Sequence, residues 1–118
     1  MNEDLYKAVK SLHDCNVDRI EIRQTAFSKD CPSDYPKDCF EIEVSILKSE
    51  CAQSKSCVVF RFSGIEEFSI KKTLHWEWLI YNSDLIFENG FYTFTIDDYI
   101  KINCSKIEYF LSEDEKNM

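Results

Sequence analysis

Apolar and polar residues alternate along most of this chain, and the period of that alternation changes once. In residues 3–13, EDLYKAVKSLH, the apolar positions Leu5, Val9 and Leu12 fall at helical spacing. Asn2 stands where an N-cap would sit, and the acids cluster in the first turn, where the helix dipole favours them. A short helix is predicted. From Val17 the period drops to two. In DRIEIRQTAF, Ile20 and Ile22 alternate with Arg19, Glu21 and Arg23, the mark of a half-buried strand. SKDCPSDYPKDC holds both prolines and reads as a loop. FEIEVSIL is the cleanest strand. It sets Phe40, Ile42, Val44 and Ile46 on one face and Glu41, Glu43 and Ser45 on the other.

After the polar connector KSECAQSKS, the stretch CVVFRFS places Val58, Phe60 and Phe62 on one face. Gly64 then suggests a bulge or sheet corner, and IEEFSIKK resumes with Ile65, Phe68 and Ile70. LHWEWLIYNSDLIF is ambiguous between a strand and a helical turn. Asn89-Gly90 supplies the positive φ values of a two-residue type I′ turn, so SDLIFE and FYTFTI form a hairpin. Asp97-Asp98 turns the chain into YIKINCSKIEYFL. There Ile100, Ile102 and Cys104 share one parity while Ile107 and Tyr109 take the other, which predicts a bulge near Ser105. The expected fold is α+β and mainly β. It has a short N-terminal helix and about six or seven mostly antiparallel strands in a curved sheet or half-barrel. Phe40, Ile42, Val44, Val58, Phe60, Phe62, Phe94, Ile100 and Ile102 should be buried.

Length and composition narrow this further. A chain of 118 residues reads as one domain, 1–118, with 112–118 as a frayed acidic tail. With 44% hydrophobic and 14% aromatic residues it is no disordered acidic tract. The charged N-terminus has no apolar core of a signal peptide, and no apolar stretch approaches membrane-spanning length. A cytoplasmic protein is therefore expected. Asp and Glu number 22 against 14 Lys and Arg, a formal charge of -8. Such a field repels nucleic acid and anionic membrane and attracts basic partners. The expectation is a monomer that binds neither nucleic acid nor membrane.

The chemistry-bearing residues are sparse. Six cysteines occur, Cys15, Cys31, Cys39, Cys51, Cys57 and Cys104, with no CxxC pair and only His13 and His75 beside them. Free thiols and no metal are expected, with Cys15 and Cys104 as small buried residues and the four around the polar loops as the oxidisable ones. Two glycines, Gly64 and Gly90, are too few for a Walker loop or a dinucleotide fingerprint. His13-Asp14 has the form of an oriented base, but a histidine at a helix C-terminus caps carbonyls and complements the dipole. Glu66-Glu67 cannot act as an acid–base pair on a strand, because adjacent residues point to opposite faces. Asp97-Asp98 is a turn without EF-hand spacing. No catalytic residue, cofactor or metal is assigned, and the chain reads as a non-enzyme.

What remains is an acidic, aromatic segment. Glu66, Glu67, Glu77, Trp78, Tyr81 and Asp84 bring four acids and two large aromatics close together in sequence. Large aromatics are favoured at binding hot spots, although Trp76 and Trp78 can equally fill the core. The exposed face of the strand bearing Glu41 and Glu43 is the other candidate surface.

The stretches HDCNVDRIEI, CVVFRFSGIEEFSI and FYTFTIDDYIKINCSKIEY resemble a loose group of small acidic β-rich bacterial domains. That group includes immunity proteins encoded beside polymorphic toxins. The CPSDYPKDC and ECAQSKS loops lie outside the resemblance. It implies a protein that neutralises a cognate toxin domain by binding its basic surface, and it carries no catalytic residues. The alternatives are a bacterial accessory protein-interaction domain and a DNA-mimic inhibitor.

Overall fold

The computed structural model describes residues 3–24, 40–47, 56–71 and 78–113. The two polar loops around the prolines and Cys51, the residues 72–77 with His75, Trp76 and Glu77, the proposed cap Asn2 and residues 114–118 lie outside the described set. Among the described residues one helix, α1 (Glu3–Lys10), precedes six strands: β1 (Asn16–Gln24), β2 (Phe40–Leu47), β3 (Ser56–Ile70), β4 (Ser83–Glu88), β5 (Phe91–Ile96) and β6 (Ile100–Glu113). All pair antiparallel in a single open sheet of order β1-β2-β3-β6-β5-β4.

The sheet is two overlapping halves sharing one long ribbon. β3 and β6 pair along their whole lengths, from Ser56↔Glu113 to Ile70↔Ile100. β2 reaches only the first part of β3, up to Ser63, and β5 reaches only the first part of β6, up to Cys104. Period-two alternation sets Ile42, Val44, Val58, Phe60 and Phe62 inward from the first half, and Leu85, Phe94, Ile100 and Ile102 inward from the second. The halves fold over one core. The Phe94 ring centroid lies 5.4 Å from Phe60 and 4.8 Å from Phe62. Tilted ring pairs at these separations add to the stabilisation from buried area.

The bend that allows this sits at Gly64. Its φ is +63°, and a side chain there would run into the Ser105 hydroxyl directly across the ribbon. On both strands the buried parity resets together here, from Phe62 to Ile65 and from Ile107 to Cys104, while the pairing keeps step. The extra residue comes next and lies on β3, where the register shifts between Ile65 and Glu67. Sequence parity predicts a bulge on β6 near Ser105. The fold instead places the glycine-enabled face change opposite Ser105 and the bulge at Glu66. A two-strand parity change leaves the same mark in one strand's sequence as a bulge does.

Turn chemistry is as expected elsewhere. Asn89 and Gly90 have φ of 54° and 83°, closing β4 onto β5 with Glu88 opposite Phe91. Asp97, at φ 50°, opens the turn into β6. α1 is shorter than the predicted span, ending at Lys10 rather than residue 13, although Leu12 stays in the core with Leu5 and Val9. The Ser11 hydroxyl donates to the Ala8 carbonyl at this frayed end. α1 packs against β4, where the Ser83 hydroxyl donates to the Val9 carbonyl. The start of β1 is stitched to the segment entering β4 by an Asn16↔Leu79 bridge and by Asp14 N–H to Ile80 O at 2.8 Å. The result is a half-barrel stitched at one corner.

Three smaller differences concern burial and length. β6 extends through Ser112 and Glu113, which therefore belong to the strand and not to the tail. Phe40 is only partly buried, being the first residue of its strand. Ser45 faces away from the core yet is buried beside Val59. No helix among the described residues is long and apolar enough to cross a membrane.

Candidate functional site

The predicted residues fall into two groups. Glu66 and Glu67 lie on β3 just past the bend, and both are exposed, because the bulge at Glu66 breaks the alternation that would turn one of them inward. Asp84 lies on β4. Register lines place Glu67, Asn103, Thr93 and Ile86 in one row on the outer face, and Ser69, Lys101, Thr95 and Asp84 in the next. Glu67 and Asp84 thus share a face but stand about 15 Å apart, with β6 and β5 between them. Lys101 interrupts the acids, and Lys10 reaches Asp84 at 3.6 Å. Glu77 lies outside the described residues.

Trp78 and Tyr81 sit at a different place, on the segment leading into β4. Trp78 is half-buried against the core, with its ring edge toward Tyr99 at 6.5 Å, so it belongs to the packing more than to the surface. Tyr81 is 60% exposed. Its backbone is held from two sides. The Asp97 carboxylate accepts the Tyr81 N–H at 3.1 Å and the Asn82 N–H at 2.8 Å, and the Tyr81 carbonyl contacts His13 Nδ1 at 2.7 Å. His13 therefore ties the post-helix turn to this segment and does not cap a helix carbonyl. Its other nitrogen lies 3.4 Å from Asp14. Sequence reading took Asp97-Asp98 for a turn and missed that the Asp97 carboxylate holds the Tyr81 and Asn82 amides. The only sequence signal was an acid at a turn, which is common to many turns.

The other candidate surface has a different character. On the outer face of β1, β2 and β3, Arg23 bonds Glu41 at 2.8 Å and Glu43 at 3.1 Å, and it lies 3.3 Å from Glu21. Arg61 Nε donates to Glu43 at 2.8 Å, and its guanidinium stacks 5.2 Å from the Phe110 ring centroid. The Glu43 side chain is 12% exposed. Burial pushes its pKa up, but the hydrogen bonds from Arg61 and then Arg23 outweigh that and hold the carboxyl below its ordinary value. These acids are neutralised where they stand, and they brace the three strands together.

Cys15, Cys57 and Cys104 are thiols. Cys15 and Cys104 are buried, as expected, and burial pushes the Cys104 pKa up to about 12, despite a backbone hydrogen bond from Lys106 that acts the other way. Cys57 lies within β3 rather than in the loop beside it. Cys31, Cys39 and Cys51 fall outside the described residues. Among the described residues no group of three or more His, Cys, Asp or Glu side chains is placed to hold a metal.

The chain matches no family model, no curated protein and no solved structure.

Proposed function

We propose that this chain is an acidic protein-binding module, an immunity or inhibitor protein that neutralises a cognate toxin domain with a basic surface. One contrast carries the reading. Glu21, Glu41 and Glu43 of the first half-sheet are matched by Arg23 and Arg61, whereas on the second half Glu67 is exposed next to exposed Phe68, and Glu88 is exposed on the strand that carries exposed Ile86 and Phe87. Exposed acids speed the encounter with a basic partner, and exposed aromatics anchor it once docked. The net charge of -8 and the resemblance of the three sequence stretches to immunity domains point the same way. The protein acts by covering its target and carries out no reaction of its own.

The test is co-expression with the C-terminal domain encoded by the neighbouring gene, scored for complex formation and for relief of toxicity. Reversing Glu66, Glu67 and Asp84 to Lys is expected to slow association and weaken its salt dependence while leaving the thermal unfolding curve in place. Tyr81→Ala is expected to raise the dissociation rate by an amount worth about 2 kcal/mol. Absence of any complex, with no relief of toxicity, removes the reading.

A further inference from the structure

We infer that the outer edge of β4, unpaired among the described residues, is where the partner docks, by adding an extended segment whose basic residues alternate with apolar ones. The inference rests on the protein-binding reading above and narrows it to one edge and one kind of ligand. β4 ends the sheet order, and α1 covers it at the Ser83–Asp84 end, through Ser83 to Val9 and Lys10 to Asp84. Beyond that point Ile86 is 48% exposed and Phe87 41%.

The edge has backbone groups to offer. The Leu85 N–H is taken by the Asp84 carboxylate at 2.8 Å, so residue 85 turns its amide away from β5. In an antiparallel ladder the outward-pointing residues recur every second position, which puts the Phe87 N–H and C=O on the same open side. Asp84 blunts the edge at Leu85, a common protection against indiscriminate pairing, and leaves the Phe87 end open.

Side chains then select the occupant. On the outer face β4 presents Asp84, Ile86 and Glu88, an acid on either side of an apolar residue. A second copy pairing antiparallel about Ile86 would set Asp84 against Glu88 twice, and like charges directly opposite are destabilising. A strand reading basic–apolar–basic on that face avoids that repulsion and brings a basic residue opposite the exposed Glu88, while Asp84 already meets Lys10. On the other face the Phe87 ring lies tilted against Tyr92, centroids 4.6 Å apart, an aromatic floor for the added strand's apolar side chains. Strand addition of this kind takes affinity from main-chain hydrogen bonds and specificity from alternate side chains.

The probe is a synthetic peptide, Thr-Lys-Val-Ile-Val-Lys-Thr, with a control carrying Glu for Lys. Titration calorimetry should show salt-sensitive binding of the first and none of the second. Hydrogen exchange at the Phe87 amide should slow on binding. Ile86→Lys with Glu88→Lys, or Glu88→Lys alone if the double variant loses its native circular dichroism, should weaken binding about tenfold or more for the double variant. Unchanged exchange at Phe87, or a Glu control that binds equally well, overturns the inference. So does a concentration-dependent dimer of the wild type that the β4 variants abolish, since the occupant is then a second copy. The two readings fail separately. If the β4 variants still bind and neutralise the toxin domain, the edge is wrong and the immunity reading survives. If the peptide protects Phe87 while no toxin is neutralised, the edge stands and the immunity reading falls.

Discussion

The two halves of this sheet share a ribbon, a core and an acidic composition, yet they use their acids in opposite ways. On the first half Glu21, Glu41 and Glu43 converge on two arginines, and Glu43 is nearly buried among them. On the second, Glu67 and Glu88 are exposed, and Asp84, which accepts the Leu85 N–H, meets Lys10 at 3.6 Å between two half-exposed side chains. An exposed pair of that kind contributes little to stability, whereas a shielded, multiply hydrogen-bonded carboxylate contributes much more. An acid's value to the fold and its availability to a partner are therefore inversely related here. Counting acids along the chain does not separate the two uses.

The largest expected effect comes from the hinge joining the halves. Gly64→Ala should destabilise by about 3 kcal/mol, from a positive φ that side chains resist and an overlap with Ser105. Adding Ser105→Gly should recover the overlap part and leave the φ part. Urea unfolding measures both, and a neutral Gly64→Ala would mean that the ribbon does not bend at this residue.

Glu43→Ala should follow, at about 2 kcal/mol, since it leaves two arginines without their shared acceptor. This site also makes a pH prediction. The folded pKa of Glu43 lies below its ordinary 4.5, so its contribution is complete above that pH and disappears as pH falls through the folded value. Glu43→Gln should flatten the acid limb of a stability–pH curve. An unchanged limb would place the network's strength elsewhere.

Asp97→Ala sharpens the comparison from the other side. It removes an acceptor from the Tyr81 and Asn82 amides and should cost about 1 kcal/mol, showing that the second half also has a structural acid. The smallest effect belongs to Glu67→Ala, expected within about 0.5 kcal/mol of wild type by thermal unfolding. A large loss there would mean that Glu67 belongs to the fold, and would weaken its assignment to a binding surface.

Much of the fold was legible from residue pattern. FEIEVSIL and the Asn89-Gly90 hairpin were readable because alternation and positive-φ turn residues act locally. Gly64 announced a bend for the same reason. The bulge position was misread, since a parity change records only that something shifted and not which strand carries the extra residue. The site was less legible. Tyr81 owes its fixed position to Asp97, and Trp78 its half-burial to Tyr99, contacts across sixteen and twenty-one positions of chain.

By itself the sequence determined the kind of elements, their faces and the sign of the electric field, because periodicity, turn propensity and charge are properties of neighbouring residues. The tertiary structure decided which acids are neutralised and which stay available. That outcome depends on strand register, which set Arg23 opposite Glu41 and Arg61 opposite Glu43 and left Glu88 at an edge. Register is a cooperative result of packing both half-sheets onto one core, and no single stretch of the chain contains it.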